Sequence, residues 1–293
     1  MSDSFAYHPF IHFLCFAALL TFTMVIMEPV LLALSLLGGL GYVLFLRGQG
    51  AAGLNPFQLL PLVLFFALLN PLYNHQGLHV CFYLGSRPIT LEAAIYGLFA
   101  AMLFFSVICW FTAFAMVMES DKLLAIFGRL LPSLCLTFTM VLRFVPRYRR
   151  HFQELLMAQR GLGDDPGRGK LRQRLRIALD LVSMTTTWAL ENAIDTADSM
   201  QARGFGLVRR TSFASRRFQQ RDRLALAFLL LLIVLVGGLG LAGCFHTRFF
   251  PSFRMPSFSP SLLLGYLAYG LLAFFPLLNA ALDRLRWRAI YAD

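Results

Sequence analysis

Charged side chains are scarce in this sequence. They make up 14% of its 293 residues, whereas apolar residues make up 58% and the mean hydropathy is +0.66. Soluble domains usually contain about 25% charged residues and fewer apolar ones. The shortage of charge therefore excludes the soluble globular class, and it predicts an all-α, polytopic integral membrane protein.

Residue patterns that bind metals, form disulfides or bind phosphate are also missing. The five cysteines contain no Cys-x-x-Cys pair, so they predict neither a zinc site nor a disulfide framework. The stretch 167–171 contains Gly-Lys but lacks the earlier glycine and the Ser or Thr of a phosphate-binding loop. His75 and His79, like His8 and His12, are four residues apart, but neither pair has an evident third ligand. We therefore expect no cofactor, no metal and no enzymatic activity, with any ATP hydrolysis supplied by a partner.

Positive charge is concentrated in one part of the chain. Of the 26 Lys and Arg residues, 17 lie between Arg143 and Arg223, together with eight acidic residues. A basic segment between apolar blocks is typical of a cytoplasmic region retained by the positive-inside rule. This interpretation is favoured over nucleic-acid binding, so no nucleic-acid partner is expected.

Apolar stretches divide the rest of the chain into candidate membrane spans. A bilayer core of about 30 Å takes about 20 apolar residues of helix. Six stretches approach that length: about Phe10–Met27, Val30–Phe45, Pro56–Pro71, Leu91–Met118, Leu224–Cys244 and Ser261–Leu282. We expect an N-terminal membrane bundle (1–118), a cytoplasmic helical region (119–223) and a C-terminal membrane hairpin with a basic tail (224–293).

Two smaller features of the spans also carry expectations. Glu28 and Glu92 lie near span ends, where a carboxylate is expected to cap a helix or reach the interface. The fifth stretch contains four small residues at a spacing that predicts close helix packing: Gly237, Gly238, Gly240 and Gly243.

Loop charges predict the orientation. Both the 143–223 region and the tail with Arg284, Arg286 and Arg288 are expected inside the cell, with an even number of spans between them. Counting back places the N-terminus inside and the 74–88 loop outside. The 246–260 loop is expected outside although it carries Arg248 and Arg254.

The cytoplasmic region is predicted to contain two long helices. The first runs from about Ser133 to an end at Gly161–Gly163, and it is apolar as far as Leu142 and basic afterwards. The second runs from about Leu171 to Ala202, with Gly204 as its C-terminal cap. On the second helix Glu191, Asp195 and Asp198 share a face, which we interpret as solvated in preference to a docking stripe.

Both helices end in an Arg-Gly pair, at Arg160-Gly161 and Arg203-Gly204. A small residue nearby, Ala158 or Ala202, permits a close approach to a partner, and the guanidinium offers a planar fork of donors for carboxylates or backbone carbonyls. The glycine is then expected to turn the chain away from the tip. One such end alone is an ordinary helix cap, whereas two in one region favour a binding function.

The second ending lies in a longer motif. The segment Ala189–Gly206 resembles the signature of the transmembrane T component of energy-coupling factor (ECF) transporters, the group that includes cobalt-transport permeases of the CbiQ type. Arg143–Arg147, with Glu154 and Ala158–Gly161 after it, is similar to the first coupling helix of that family, although Gln159 separates an alanine and an arginine that the family keeps adjacent. Asn70–His75 resembles a stretch found in one subgroup.

The resemblance implies a non-catalytic scaffold in the cell membrane of a prokaryote. A T component of this kind binds two ABC-type ATPase subunits, each through one arginine-tipped coupling helix. It also binds a small membrane protein, the S component, which captures a vitamin or a metal ion. The implied ATPase-binding residues here are Ala158, Arg160, Gly161, Ala202, Arg203 and Gly204.

Two alternatives stay open at this point. A permease of another ABC type would need a Glu-Ala-Ala loop with a glycine and an Ile-x-Leu-Pro continuation, and that full pattern is missing. A membrane-embedded lipid-modifying enzyme would need clustered carboxylates or a His-Asp arrangement at a membrane face. The acidic group on the second long helix has no histidine beside it.

Overall fold

The computed structural model describes residues 7–48, 60–74, 77, 79–84, 87–128, 131–163, 167, 170–206, 218–249, 256 and 258–291. The chain divides into two compact units, Met1–Leu123 with Arg216–Asp293, and Leu124–Ser215. In chain order the elements are α1 (Pro9–Val25), α2 (Pro29–Arg47), α3 (Leu60–Tyr73), β1 (Val80–Leu84), β2 (Arg87–Thr90), α4 (Leu91–Val117), α5 (Ser120–Phe127), α6 (Pro132–Gly161), α7 (Leu171–Ala202), α8 (Gln220–Leu241) and α9 (Pro260–Tyr291).

Helices coincide with all six predicted apolar stretches, which confirms the all-α, polytopic membrane fold. Four of them are long and apolar enough to cross a membrane: α2, α4, α8 and the Pro260–Leu285 part of α9. The other two, α1 and the Val63–Tyr73 part of α3, are apolar but shorter. The predicted long helices of the basic region are α6 and α7, and both end close to the predicted positions.

Helix α2 packs against both α4 and α9 through a pair of glycines. A Cβ atom on Gly38 would lie 3.1 Å from the carbonyl oxygen of Ala273, and one on Gly39 would lie 3.2 Å from Cβ of Cys109. The backbones therefore approach closely, and the indole of Trp110 fills the space beside them, fully buried. Cys109, Trp110 and Ala273 all belong to the apolar core of the first unit.

Buried hydroxyl groups cross-link the same helices. Ser35 Oγ lies 2.8 Å from Thr23 Oγ1 and 2.7 Å from Ser106 Oγ, and it accepts a hydrogen bond of 2.9 Å from Trp110 Nε1. Thr23 Oγ1 is also 3.0 Å from the hydroxyl of Tyr269. In a membrane, where apolar burial drives helix association only weakly, such polar contacts join α1, α2, α4 and α9.

The break between α1 and α2 is held by Glu28. Its Oε2 accepts a hydrogen bond of 2.8 Å from the backbone N–H of Leu31, and its Oε1 accepts one of 2.6 Å from the hydroxyl of Tyr266. The expected capping function of Glu28 is confirmed. The carboxylate is buried, and both of its oxygens are hydrogen-bonded.

The glycines of the fifth stretch do not pack closely, so that prediction is wrong. Within the described part of the chain, no atom lies within 4 Å of a Cβ built on Gly238 or Gly243. At Gly237 and Gly240 the nearest atoms, at 3.8 and 3.6 Å, are at ordinary van der Waals distance. The glycine positions of α8 are therefore not turned towards a close helix neighbour.

A short antiparallel hairpin of β1 and β2 connects α3 to α4, where the sequence analysis assigned only a loop. Its register pairs Val80 with Thr90 and Leu84 with Arg87. The side chain of His79 joins the hairpin to α4, because its Nδ1 lies 2.8 Å from Oε1 of the buried Glu92. The backbone N–H of His79 also donates to Glu92 Oε2 at 3.3 Å.

Candidate functional site: the ends of the two long helices

Helix α6 begins at Pro132, which fits the first turn because proline lacks the N–H that would stay unpaired there. The helix continues through Pro146 and ends at Gly161. Past its end, the N–H of Gly163 donates to the carbonyl of Arg160 at 3.2 Å. Gly163 has a φ of +95°, so it is the residue that turns the chain out of the helix.

Helix α7 ends in a Schellman motif. Arg203 occupies the C-cap position, and Gly204 follows with a φ of +76°. The N–H of Gly204 donates to the carbonyl of Gln201 at 2.9 Å, and the N–H of Phe205 donates to that of Met200 at 3.0 Å. These two bonds satisfy carbonyls that would otherwise lack partners, and they fix the backbone that carries Arg203.

The two Arg-Gly pairs are therefore not equivalent. Arg203 directly precedes the left-handed glycine of its helix, whereas Arg160 lies three residues before Gly163. Gly161 is still helical, so the prediction that it turns the chain away is wrong. Helix α6 continues past Arg160 to Gly161, and the left-handed conformation that turns the chain is adopted by Gly163 instead.

The predicted site residues are accessible at both ends. Ala158, Arg160 and Gly161 are exposed at the end of α6, and Ala202 and Arg203 are exposed at the end of α7. Gly204 is half-buried beneath the tip that it closes. A helix end with an exposed guanidinium and small neighbours leaves room for a partner surface.

An aromatic cluster, made of Phe144, Tyr148 and His151 on α6 and Trp188 on α7, joins the two helices. The ring of His151 stacks on that of Trp188 with centroids 3.9 Å apart, and Tyr148 meets Trp188 edge-on at 5.4 Å. Phe144 stacks on Tyr148 at 5.7 Å, one turn earlier on α6. The sequence analysis missed this cluster, although spacings of four and three residues place its α6 members on neighbouring turns of one side.

The distance from the aromatic cluster to each tip is considerable. At 1.5 Å per residue, about 22 Å of helix separates Trp188 from Arg203, and about 18 Å separates Tyr148 from Arg160. Nearer the α6 tip, Gln159 Nε2 donates to the sulfur of Met184 at 3.8 Å. The pair of helices thus has a packed contact at one level and exposed basic ends at another.

Several other sequence-predicted residues have ordinary structural surroundings. Glu191, Asp195 and Asp198 are exposed on α7, consistent with a solvated face. His8 accepts a hydrogen bond of 3.2 Å from the backbone N–H of Phe10 and thereby caps α1.

One of the two histidine pairs and the Gly-Lys stretch are described only in part. His75 and residues 168–169 of the Gly-Lys stretch lie outside the described residues. No group of three His, Cys, Asp or Glu side chains arranged to hold a metal occurs within the described ranges.

Known proteins with similar sequences are transporter membrane components. No family model matches the chain. The energy-coupling factor transporter transmembrane protein EcfT of Leuconostoc gelidum subsp. gasicomitatum is 25% identical over 185 residues, which cover 59% of this chain and 69% of that protein. EcfT of Lactobacillus helveticus is 29% identical over 185 residues, covering 59% and 67%. EcfT of Exiguobacterium sibiricum is 27% identical over 201 residues, covering 64% and 75%.

These similarities confirm the resemblance to T components of ECF transporters. They also agree with the apolar helices in indicating a multi-pass membrane protein of bacteria. The relatives are named as membrane components of transporters rather than as enzymes.

Proposed function

We propose that this chain, a relative of EcfT-type T components, is the transmembrane coupling subunit of an ECF-type importer. It would carry ATP-driven motion from two ABC-type ATPase subunits to a substrate-binding S component that takes up a vitamin or a metal ion. The observation that carries the proposal is the end of α7, where an exposed Arg203 is fixed by a Schellman motif inside the segment that resembles the family signature.

The geometry of α7 suits a rod that transmits force. The helix has 32 residues, and at 1.5 Å per residue it is about 48 Å long. A push at Arg203 reaches the aromatic cluster through continuous backbone hydrogen bonds, and from there it reaches α6. Such a rod couples ATP to transport only if its tip contacts the ATP-bound and nucleotide-free ATPases differently.

We assign ATPase binding to Ala158, Arg160 and Gly161 on α6 and to Ala202, Arg203 and Gly204 on α7. The two tips are expected to contribute unequally. Arg203 projects from a closed helix end, whereas Arg160 projects from the side of a helix that continues past it. A partner groove that fits the α7 tip therefore fits the α6 tip less closely, and Leu162, which is 80% exposed, lies beyond Arg160.

The division of labour along the chain follows from this assignment. The membrane bundle (1–118) and the C-terminal hairpin with its tail (224–293) would anchor the protein, and the coupling-helix region (119–223) would face the cytoplasm with both termini. The bilayer and the S component then complete the set of contacts, and no nucleic acid is involved.

Charge reversal at the α7 tip tests the proposal. Arg203→Glu should abolish uptake and weaken ATPase attachment at least ~10-fold, because losing a charge-assisted contact at a protein interface typically costs about 2–5 kcal/mol. Arg160→Glu should weaken attachment less. The measurement is affinity purification of the tagged chain from membranes, with the ratio of co-purified ABC-type ATPase to the chain determined by quantitative mass spectrometry.

The matched control is Arg172→Glu, which reverses an exposed arginine at the opposite end of α7. It should retain a ratio of two ATPase subunits per chain. Retention of that ratio by both tip variants, or hydrolysis of ATP by the purified chain alone, would contradict the proposed function.

A further inference from the structure

A pocket separate from the helix tips lies between α6 and α7. Its volume is about 450 Å³, and its lining includes Arg143, Arg147 and Arg150 from α6 and Trp188 from α7. Spacings of four and three residues place the three arginines on one face of α6. They line one concave space together, and neither Arg160 nor Arg203 is part of it.

The charges of the pocket are unbalanced. Of its lining residues, Glu154 is the only acid, and its carboxylate lies 3.5 Å from Nδ1 of His151. None of the three arginines forms an ion pair with another residue in the ranges that the structure describes. The lining therefore carries three positive charges against one negative charge even when His151 is neutral.

The aromatic cluster holds part of this lining in place. The guanidinium of Arg147 lies 5.3 Å from the ring centroid of Trp188, and the imidazole of His151 stacks on the same indole. Contact with the ring face restricts the arginine while leaving its N–H donors free to point into the pocket. A site whose donors are already positioned loses less conformational entropy when an anion binds.

We propose that this pocket binds a phosphate group. Guanidinium forks match the geometry of phosphate oxygens, and three of them around one cavity supply both the charge and the number of donors that a phosphate requires. The phosphate belongs either to a soluble compound or to the headgroup of an acidic phospholipid, and both sources present the same chemistry. Bound phosphate would link α6 to α7 beside the aromatic cluster.

The test uses the purified full chain in nanodiscs of phosphatidylcholine. One arm titrates inorganic pyrophosphate by calorimetry. The other replaces part of the lipid with phosphatidylglycerol and counts retained anionic lipid by native mass spectrometry. Arg143→Gln combined with Arg150→Gln should weaken binding at least ~10-fold, because it removes two of the three guanidinium groups that line the pocket.

The matched control removes the same charge elsewhere, with Arg149→Gln combined with Arg172→Gln, two exposed arginines that do not line the pocket. It should bind as the unmodified chain does. If the glutamine pair fails to fold, Arg143→Lys with Arg150→Lys replaces it, and weaker binding than in the control is again expected because the planar forks are lost.

Binding of pyrophosphate alone identifies a soluble ligand, and retention of phosphatidylglycerol alone identifies a lipid headgroup; either result supports the site. Binding in neither arm overturns the proposal. Equal weakening in the pocket variant and in its control also overturns it, because the effect would then belong to the overall charge of the region.

Discussion

Gly161 and Gly204 both follow an arginine at a helix end, but their backbones differ. Gly204 has a φ of +76°, whereas Gly161 is the last residue of the helix α6. A Cβ atom built on Gly161 would meet no described neighbour within 4 Å. An L-residue in the left-handed region costs about 1–2 kcal/mol, and a glycine in a helix costs up to about 1 kcal/mol relative to alanine. Replacing glycine with alanine is therefore expected to destabilise the end of α7 and to stabilise the end of α6.

We expect Gly204→Ala to fray the end of α7 and Gly161→Ala to leave α6 unchanged or to firm its last turn. The measurement is hydrogen–deuterium exchange of the backbone amides in 199–205 and 158–163. Exchange should accelerate about 5- to 30-fold at the α7 end, which corresponds to 1–2 kcal/mol. Each variant is the control for the other. Equal changes in exchange rate at both helix ends would contradict the difference in backbone conformation between the two glycines.

The site was predictable in part from local sequence. The end of α7 at Ala202 was predicted from Arg203-Gly204, and Gly204 is the glycine that closes the helix. The end of α6 has the same Arg-Gly-x-Gly pattern, but there Gly161 stays helical and the second glycine, Gly163, adopts the positive φ. The pattern of residue types alone does not contain that choice.

Close approach between elements depends on a few glycines. A Cβ on Gly97 of α4 would lie 2.6 Å from the carbonyl oxygen of Ala67 and 3.2 Å from Cβ of Asn70, both on α3. The backbones of α3 and α4 therefore meet at this point, and Asn70 Nδ2 donates to the carbonyl of Ala93 at 2.7 Å beside it. A methyl group there forces the helices apart.

Gly97→Ala should lower the stability of the membrane unit, because overpacking typically costs about 1–3 kcal/mol. Gly238→Ala is the matched control, since its added methyl meets no described atom within 4 Å. Thermal unfolding in detergent should give a lower midpoint for the first variant and an equal or higher midpoint for the second. A lower midpoint for Gly238→Ala alone would contradict both the close contact of α3 with α4 at Gly97 and the open space at Gly238.

The elements themselves were easier to predict than their contacts. Long apolar runs predict where helices form, but α8 is apolar on all sides from Leu224 onwards, so no polar residues mark the face that packs against a neighbour. Their close packing was predicted from their spacing and does not occur. The β1–β2 hairpin was missed although Gly85-Ser86 separates its two short strands, because a two-stranded hairpin is only marginally stable by itself. Contacts such as that of His79 with Glu92 hold it.

At the scale of the whole molecule, the orientation of the spans decides whether the coupling helices reach cytoplasmic partners. The positive-inside rule places the α6–α7 region inside, but the two arginines between α8 and α9 argue against an external loop there. Among the elements that the structure describes, α8 alone lies between these two regions along the chain, so one pair of positions tests their relation. Leu162 and Phe258 are suited to this, with exposures of 80% and 92%.

Single cysteines at Leu162→Cys and Phe258→Cys, in a chain whose native cysteines are replaced, should react differently with a membrane-impermeant maleimide. We expect position 258 to be labelled in intact cells and position 162 only after permeabilisation, which also shows that position 162 is reactive. Labelling of position 162 in intact cells would place the arginine-tipped helices outside and remove them from any cytoplasmic ATPase.

The same method decides whether the 14-residue α3 crosses the membrane. Gly48 and Tyr73 are exposed just beyond the end of α2 and at the end of α3. If α3 crosses the membrane, Tyr73→Cys is labelled from outside and Gly48→Cys is protected. Fourteen residues of helix extend only about 21 Å. Such a span would therefore require the bilayer to thin locally or the polar flanking residues to enter it. Labelling of both positions from outside would make α3 a helix that enters and leaves on the outer side, with an even number of crossings, those of α1 and α2, before α4. The membrane crossings of α4 and α8 would not change, because each helix is long enough to cross the membrane by itself. The N-terminus would then lie outside, and the side of the coupling helices would not change.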